Sequence, residues 1–142
     1  MDAAYDEPRF RGPWSPPTAF LAAVAVASLI VMAELIGISV FLGAGDPVAV
    51  AREVPPWVIM PVIGVTLVVV SIAGLPTWAL MHSFGAVHPG QGGIVGAVLG
   101  GLATVLLLTI ILPGPSFSVY GVLGLLPGAA AGAVCLWVAY RP

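Results

Sequence analysis

The chain has 142 residues, of which 60% are hydrophobic and only 7% are charged, and its mean hydropathy is +1.13. Soluble domains carry about 25% charged residues, so this composition excludes a water-exposed surface over most of the molecule and predicts an integral membrane protein. The four arginines are scattered and the net charge is −2, which excludes a nucleic-acid-binding surface. Lysine and asparagine do not occur, which is typical of a GC-rich bacterial genome and favours a bacterial inner membrane.

The first 17 residues are polar and rich in proline, which predicts a flexible cytoplasmic arm at residues 1–17. The rest of the chain, residues 18–142, predicts one four-helix transmembrane domain. A transmembrane helix needs about 20 mainly apolar residues. Four segments meet this length, at residues 18–43, 56–81, 92–112 and 119–140. The last two connections are short, so we predict an all-α, up-down bundle of four transmembrane helices. The first connection has room for one amphipathic turn around Val50.

The distribution of arginine predicts the orientation of the chain in the membrane. Arg9, Arg11 and Arg141 lie on the side that holds both termini, and Arg52 lies on the opposite side. Cytoplasmic segments of membrane proteins carry an excess of positive charge. We therefore predict that the N- and C-termini are both cytoplasmic.

One carboxyl group interrupts the first predicted span. Glu34 stands in the apolar run "IVMAELIGIS", and no basic residue occurs in that span. Counted from residue 18 at about 1.5 Å per residue, Glu34 lies past the middle of the bilayer. Most residues on its helical face are small, which indicates that it faces another helix rather than lipid. Because an unpaired charge at that depth is costly, we predict a mostly neutral carboxyl group at neutral pH.

Two threonines and a backbone carbonyl are predicted at the depth of Glu34. Antiparallel threading of the spans places Thr66 and Thr104 there. It also places there the Leu123 carbonyl, which Pro127 leaves without its usual helical donor. Three interpretations of Glu34 remain open. It joins helices as a neutral hydrogen-bonding group, it handles protons or cations with the two threonines, or it pairs with a basic residue of a partner protein.

Glycine recurs every fourth residue in the third and fourth predicted spans. Residues four apart share a helix face, so each row forms a groove without side chains. Small-residue faces of this kind let helix backbones approach closely in lipid. We predict that the two rows pack on each other, and self-association of the protein through one row is the alternative. The rows are Gly92, Gly96 and Gly100 on the third span and Gly124, Gly128 and Gly132 on the fourth.

Three prolines lie inside the predicted spans, Pro61 and Pro76 in the second and Pro127 in the fourth. Each removes one helical hydrogen bond and predicts a kink. The freed carbonyl needs a partner inside the protein, because lipid offers none. We interpret the kinks as shaping the bundle, and a hinge or a broken-helix binding site is the alternative.

His82 and His88 flank the connection between the second and third spans and are the candidate metal ligands. Their spacing in a glycine-rich loop matches no recognised ligand pattern, so we predict no metal site and no cofactor. Cys135 is the single cysteine and stands in an apolar run, which predicts a small buried side chain. The sequence offers no nucleophile–base pair and no paired carboxylates, and we predict that the protein is not an enzyme.

These features together predict a function without catalysis. We expect a small accessory or scaffold protein that acts by helix packing within a homo-oligomer or a larger membrane complex. Its surroundings are the lipid bilayer, and no nucleic acid is expected as a partner. The alternative is a proton- or cation-coupled carrier or channel that uses the intramembrane Glu34.

Overall fold

In this computed structural model the described residues are 15–43, 45–86, 88–111 and 117–140, with the backbone alone described at 107, 108, 110, 111 and 117–120. No β-strand element occurs within these ranges. The helices are α1 (Ser15–Phe41), α2 (Pro47–Glu53), α3 (Pro56–Val69), α4 (Leu75–Ser83), α5 (Pro89–Ile111) and α6 (Phe117–Ala139). A π-helical turn, Val70–Gly74, joins α3 to α4. We refer to the continuous helical segment Pro56–Ser83 as the second span.

Four described segments are long and apolar enough to cross a membrane, which confirms the predicted all-α, four-span architecture. They are Ser15–Phe41, Pro56–Ser83, Pro89–Leu106 and Gly121–Ala139. The predicted bounds lie within three residues of the observed helix ends. The largest differences are at the starts of α1 and α5, where proline occupies the first turn and needs no helical hydrogen-bond partner. Of the predicted arm, residues 1–14 lie outside the described residues.

The connection between α1 and α3 contains the short helix α2, where one amphipathic turn was expected. Asp46 caps it, since its side-chain carboxylate accepts hydrogen bonds from the backbone N–H groups of Val48 and Ala49, both at 3.1 Å. Pro47 follows in the first helical position. Gly43 and Gly45 have φ angles of 93° and 98°, which allow the chain to turn out of α1.

α6 is the central helix, and it packs along α1 on one side. Ala19, near the start of α1, packs with Leu136 and Ala139 at the end of α6. Further along α1, Ala27 packs with Ala131. The two helices therefore run antiparallel, and alanines from both helices are buried in this contact.

α5 packs along the other side of α6, also antiparallel. The second span is attached more loosely. It contacts α1 through α3, and it touches α1 and α5 through the π turn. Thr66 is the one buried residue of Pro56–Ser83, a segment that the structure describes in full. Because the second span stays apart from α6 over most of its length, a cavity remains between them.

Candidate functional site

The cavity between the spans has a volume of about 840 Å³ and is partly open. α1, the second span, α5 and α6 all contribute to its wall, which is mostly apolar. The polar side chains on the wall belong to Glu34, Thr66, Thr77, Thr104 and Trp78. A volume of this size lies within the range of about 300–1,000 Å³ that is usual for sites that bind small molecules.

Glu34 reaches the cavity from α1 and is the acidic residue of its wall. Its side chain is partly buried. Among the residues that the structure describes, none forms a hydrogen bond or an ion pair with Glu34, and no arginine or histidine lines the cavity. Glu34 therefore lines a mostly apolar cavity without a described protein partner.

The residues that sequence threading placed at the depth of Glu34 lie on the wall of the same cavity. These are Thr66, Thr104 and Leu123. The Thr66 hydroxyl donates to the Val62 carbonyl of its own helix at 2.7 Å, which leaves the hydroxyl oxygen able to accept. The Thr104 hydroxyl lies against Gly124 of α6. The structure thus brings these residues into one cavity but joins none of them to Glu34 by a hydrogen bond.

The two glycine rows face each other along the α5–α6 contact, which we call the glycine seam. Its pairs are Gly92 with Gly132, Gly96 with Gly128, and Gly100 with Gly124. A Cβ atom on any of these six glycines would overlap the backbone of the opposite helix. Helix backbones this close require glycine, because even alanine would force them apart. Each row is occupied by the other, so neither is free for self-association through the same face.

The prolines have different surroundings. Pro61 and Pro127 line the cavity, whereas Pro76 is exposed on α4. The π turn directly before α4 lets the N–H of Leu75 donate to the Val70 carbonyl, five residues earlier. Such a turn is a common way for a helix to accommodate an interruption in its hydrogen-bond ladder. α6 continues as a helix through Pro127, whose ring is buried.

His82 belongs to an aromatic cluster that the sequence analysis missed. Its Nδ1 atom lies 2.7 Å from the Tyr140 hydroxyl oxygen, and the two rings stack with centroids 5.7 Å apart. Trp78 also stacks with His82, with ring centroids 6.3 Å apart. The cluster joins the end of the second span to the end of α6. The spacing of Trp78 and His82 on one helix face was the available signal, but it did not identify Tyr140.

His88 caps the start of α5. Its Nδ1 accepts a hydrogen bond from the Gly90 N–H at 3.1 Å, and its own N–H donates to the Gln91 side-chain oxygen at 3.2 Å. This reciprocal pattern satisfies N–H groups that the helix itself leaves unpaired. Within the described part of the chain, no group of three or more His, Cys, Asp or Glu residues is placed to hold a metal ion.

Comparisons with protein-family models, curated proteins and solved structures found no match. Inferences about function therefore depend on the cavity, the glycine seam and the aromatic cluster themselves.

Proposed function

We propose that this protein is a small membrane carrier that binds a proton or a cation at Glu34, inside the cavity between its four spans. The observation that carries the proposal is the position of Glu34. Glu34 lines a mostly apolar cavity and has no hydrogen-bond partner among the described residues. Carboxyl groups within the membrane are costly and commonly mark transport paths.

A purely structural role for Glu34 has less support from its surroundings. A neutral carboxyl group that joins two helices must donate to an acceptor on the facing helix. Thr66 and Thr104 line the cavity with Glu34, but neither is hydrogen-bonded to it. A bound proton, cation or ligand would give the carboxyl group the partner that the described protein groups do not supply.

The packing of the spans also supports a carrier. α1, α5 and α6 form a continuous unit through the glycine seam and the alanine contacts of α1 with α6. The second span buries Thr66 alone among its residues 56–83 and contains a π turn in its middle. Elements with few buried contacts open at the lowest free-energy cost. The second span is therefore the element that we expect to move when the cavity exchanges its contents.

Proton flux into liposomes tests the proposal. The protein is reconstituted with a pH-sensitive dye inside the vesicles, and a potassium diffusion potential drives proton entry. Flux above that of protein-free vesicles is expected for the parent protein and should be lost in Glu34→Gln. The matched control is Glu53→Gln, because Glu53 is exposed at the end of α2, outside the spans. Flux that survives Glu34→Gln, or no flux in the parent protein, would contradict proton carriage.

A second candidate is the accessory or scaffold function in a larger membrane complex. It is supported by the large apolar side chains that the second span exposes, such as Trp57, Met60 and Ile72 at 70–75% exposure. A partner helix could cover this surface. Under this proposal Glu34→Gln should be tolerated, because the glutamine amide retains hydrogen bonding. Native mass spectrometry of complexes extracted directly from membranes tests it, with a stable heteromeric complex as the expected result.

We also propose that the membrane is a bacterial inner membrane and that both termini face the cytoplasm. The support is the composition and the arginine bias of the sequence. In a Cys135→Ala background, cysteine at position 3 should react with an impermeant thiol reagent only from the cytoplasmic side. Cysteine at position 49, in α2, should react only from the outside. The reverse pattern would invert the proposed orientation.

A further inference from the structure

We infer that the cavity accepts a lipophilic organic cation, a molecule whose apolar body fills the cavity while its positive charge pairs with Glu34. The inference rests on the proposed function, because it names the class of cation that the Glu34 site takes.

An inorganic cation fits the wall poorly. A metal ion that loses its water needs about six oxygen ligands. The described residues of the wall offer one carboxyl group and the hydroxyl groups of Thr66, Thr77 and Thr104. Thr66 and Thr77 donate to carbonyls of their own helix at 2.7 Å, and their oxygens can still act as ligands. Two carboxylate oxygens and three hydroxyl oxygens make five, fewer than the six or so that a dehydrated metal ion needs. A hydrated ion would instead place its water shell against apolar side chains, where the water finds no partners.

An anion fits the wall no better. Among the described residues, no arginine or histidine lines the cavity, and the chain contains no lysine. A phosphate or carboxylate group would meet Glu34 as its nearest charged neighbour. Like charges in a medium of low dielectric constant repel strongly. The absence of cationic side chains from this wall therefore argues against the headgroup of an anionic lipid as the occupant.

An organic cation matches both features of the wall. Its apolar surface contacts the valine, leucine and alanine side chains of all four spans, and its charge is offset by a single carboxylate. Phe20 and Trp78 also line the cavity, and aromatic faces attract cations. The volume of about 840 Å³ is large enough for a drug-sized molecule. One carboxylate among the described residues of a mostly apolar wall therefore favours a single positive charge on a bulky body.

Two probes of the same shape and opposite charge test the inference. Tetraphenylphosphonium and tetraphenylborate are each titrated by equilibrium dialysis against the full chain in lipid nanodiscs. The phosphonium ion should bind saturably and at least about tenfold more tightly than the borate ion, beyond the partition of each into empty nanodiscs. Glu34→Gln should weaken phosphonium binding by about tenfold or more, and Glu53→Gln should leave it unchanged. Equal binding of both ions, or binding that Glu34→Gln does not alter, would overturn the inference.

A second variant keeps the carboxyl group and removes the space, in case Glu34→Gln folds poorly. Val31→Phe places a larger side chain into the cavity, because Val31 lines it one turn before Glu34. The variant should lose phosphonium binding. Ile63→Phe is the matched control on a side chain that is 42% exposed and not on the cavity wall. Unchanged phosphonium binding in a folded Val31→Phe variant would also overturn the inference.

The proton-flux experiment and the phosphonium-binding experiment test the two proposals independently. Proton flux that depends on Glu34, without selective binding of tetraphenylphosphonium, would leave the carrier proposal standing and show that the substrate class is wrong. Selective phosphonium binding without proton flux would support the cation site and reject proton carriage. Failure of both experiments would reject the Glu34 site.

Discussion

The glycine seam and the second span are both strongly apolar, yet they pack in opposite ways. In the seam, α5 and α6 approach until a Cβ atom on any of six glycines would overlap the opposite backbone. The second span carries large branched side chains around its circumference and buries Thr66 alone over residues 56–83. Lipid is as apolar as these side chains, so it provides no hydrophobic drive for helices to associate. The comparison shows that the shape of a helix face, rather than its hydrophobicity, decides how tightly it packs in this protein.

The largest loss of stability is expected when leucine replaces a glycine of the seam. A Cβ atom on Gly96 would overlap the Gly128 carbonyl oxygen and lie 3.1 Å from the Gly132 Cα atom. Gly96→Leu should therefore separate α5 from α6 and destabilise the protein by about 3 kcal/mol or more, the upper end of the cost of overpacking. The measurement is unfolding in detergent, followed by circular dichroism.

The same substitution in the second span is the control. A Cβ atom on Gly64 would meet no other atom within 4 Å. Gly64→Leu should not lower the unfolding free energy, because the position is open and a glycine inside a helix already costs about 0.5–1 kcal/mol relative to alanine. If the two leucine variants unfold alike, the contrast between a tight seam and a loose span is wrong.

A smaller effect is expected from removal of a leucine side chain. Leu136 is 2% exposed and packs with Ala19, Ala139 and Tyr140, whereas Leu67 of the second span is 42% exposed. Leu136→Ala leaves a void and should cost about 2 kcal/mol, the low end of the range for buried leucine. Leu67→Ala should cost less than about 0.5 kcal/mol, because lipid takes the place of the lost side chain. Equal losses in the detergent unfolding assay would show that the second span is packed as firmly as α6.

The smallest loss of stability is expected at the contact that joins the second span to the end of α6. Tyr140→Phe removes the hydrogen bond between the tyrosine hydroxyl and His82 Nδ1, which are 2.7 Å apart, and retains the stacked ring. The expected loss is about 1 kcal/mol, the usual net value of one hydrogen bond. A double-mutant cycle with His82→Phe measures the coupling between the two side chains. A coupling energy near zero would show that the cluster does not attach the second span.

Local features were predictable from the sequence because they depend on short stretches of chain. The length of each apolar run and the prolines and glycines between runs placed the four spans within three residues of the observed helix ends. Glycine at every fourth residue identified the helix faces that meet in the seam, since residues four apart must share a helix face. Depth along each helix, counted at a constant rise per residue, predicts one layer for Glu34, Thr66 and Thr104. All three line the cavity, but the cavity extends along α1 from Pro16 to Ile38, so the shared layer stays a prediction.

Distances between helices were not predictable in the same way. The sequence shows which face of a helix lacks side chains. It does not show the distance between two helices whose facing sides carry large side chains. Only the tertiary structure shows that the second span is separated from α6 over most of its length, which leaves a cavity of about 840 Å³ beside Glu34. It also brings His82 against Tyr140, 58 residues later in the chain, a contact that the spacing of Trp78 and His82 on one helix face did not identify. The physical reason is that a helix is determined by hydrogen bonds within four or five residues, whereas a cavity is determined by the packing of all the spans at once.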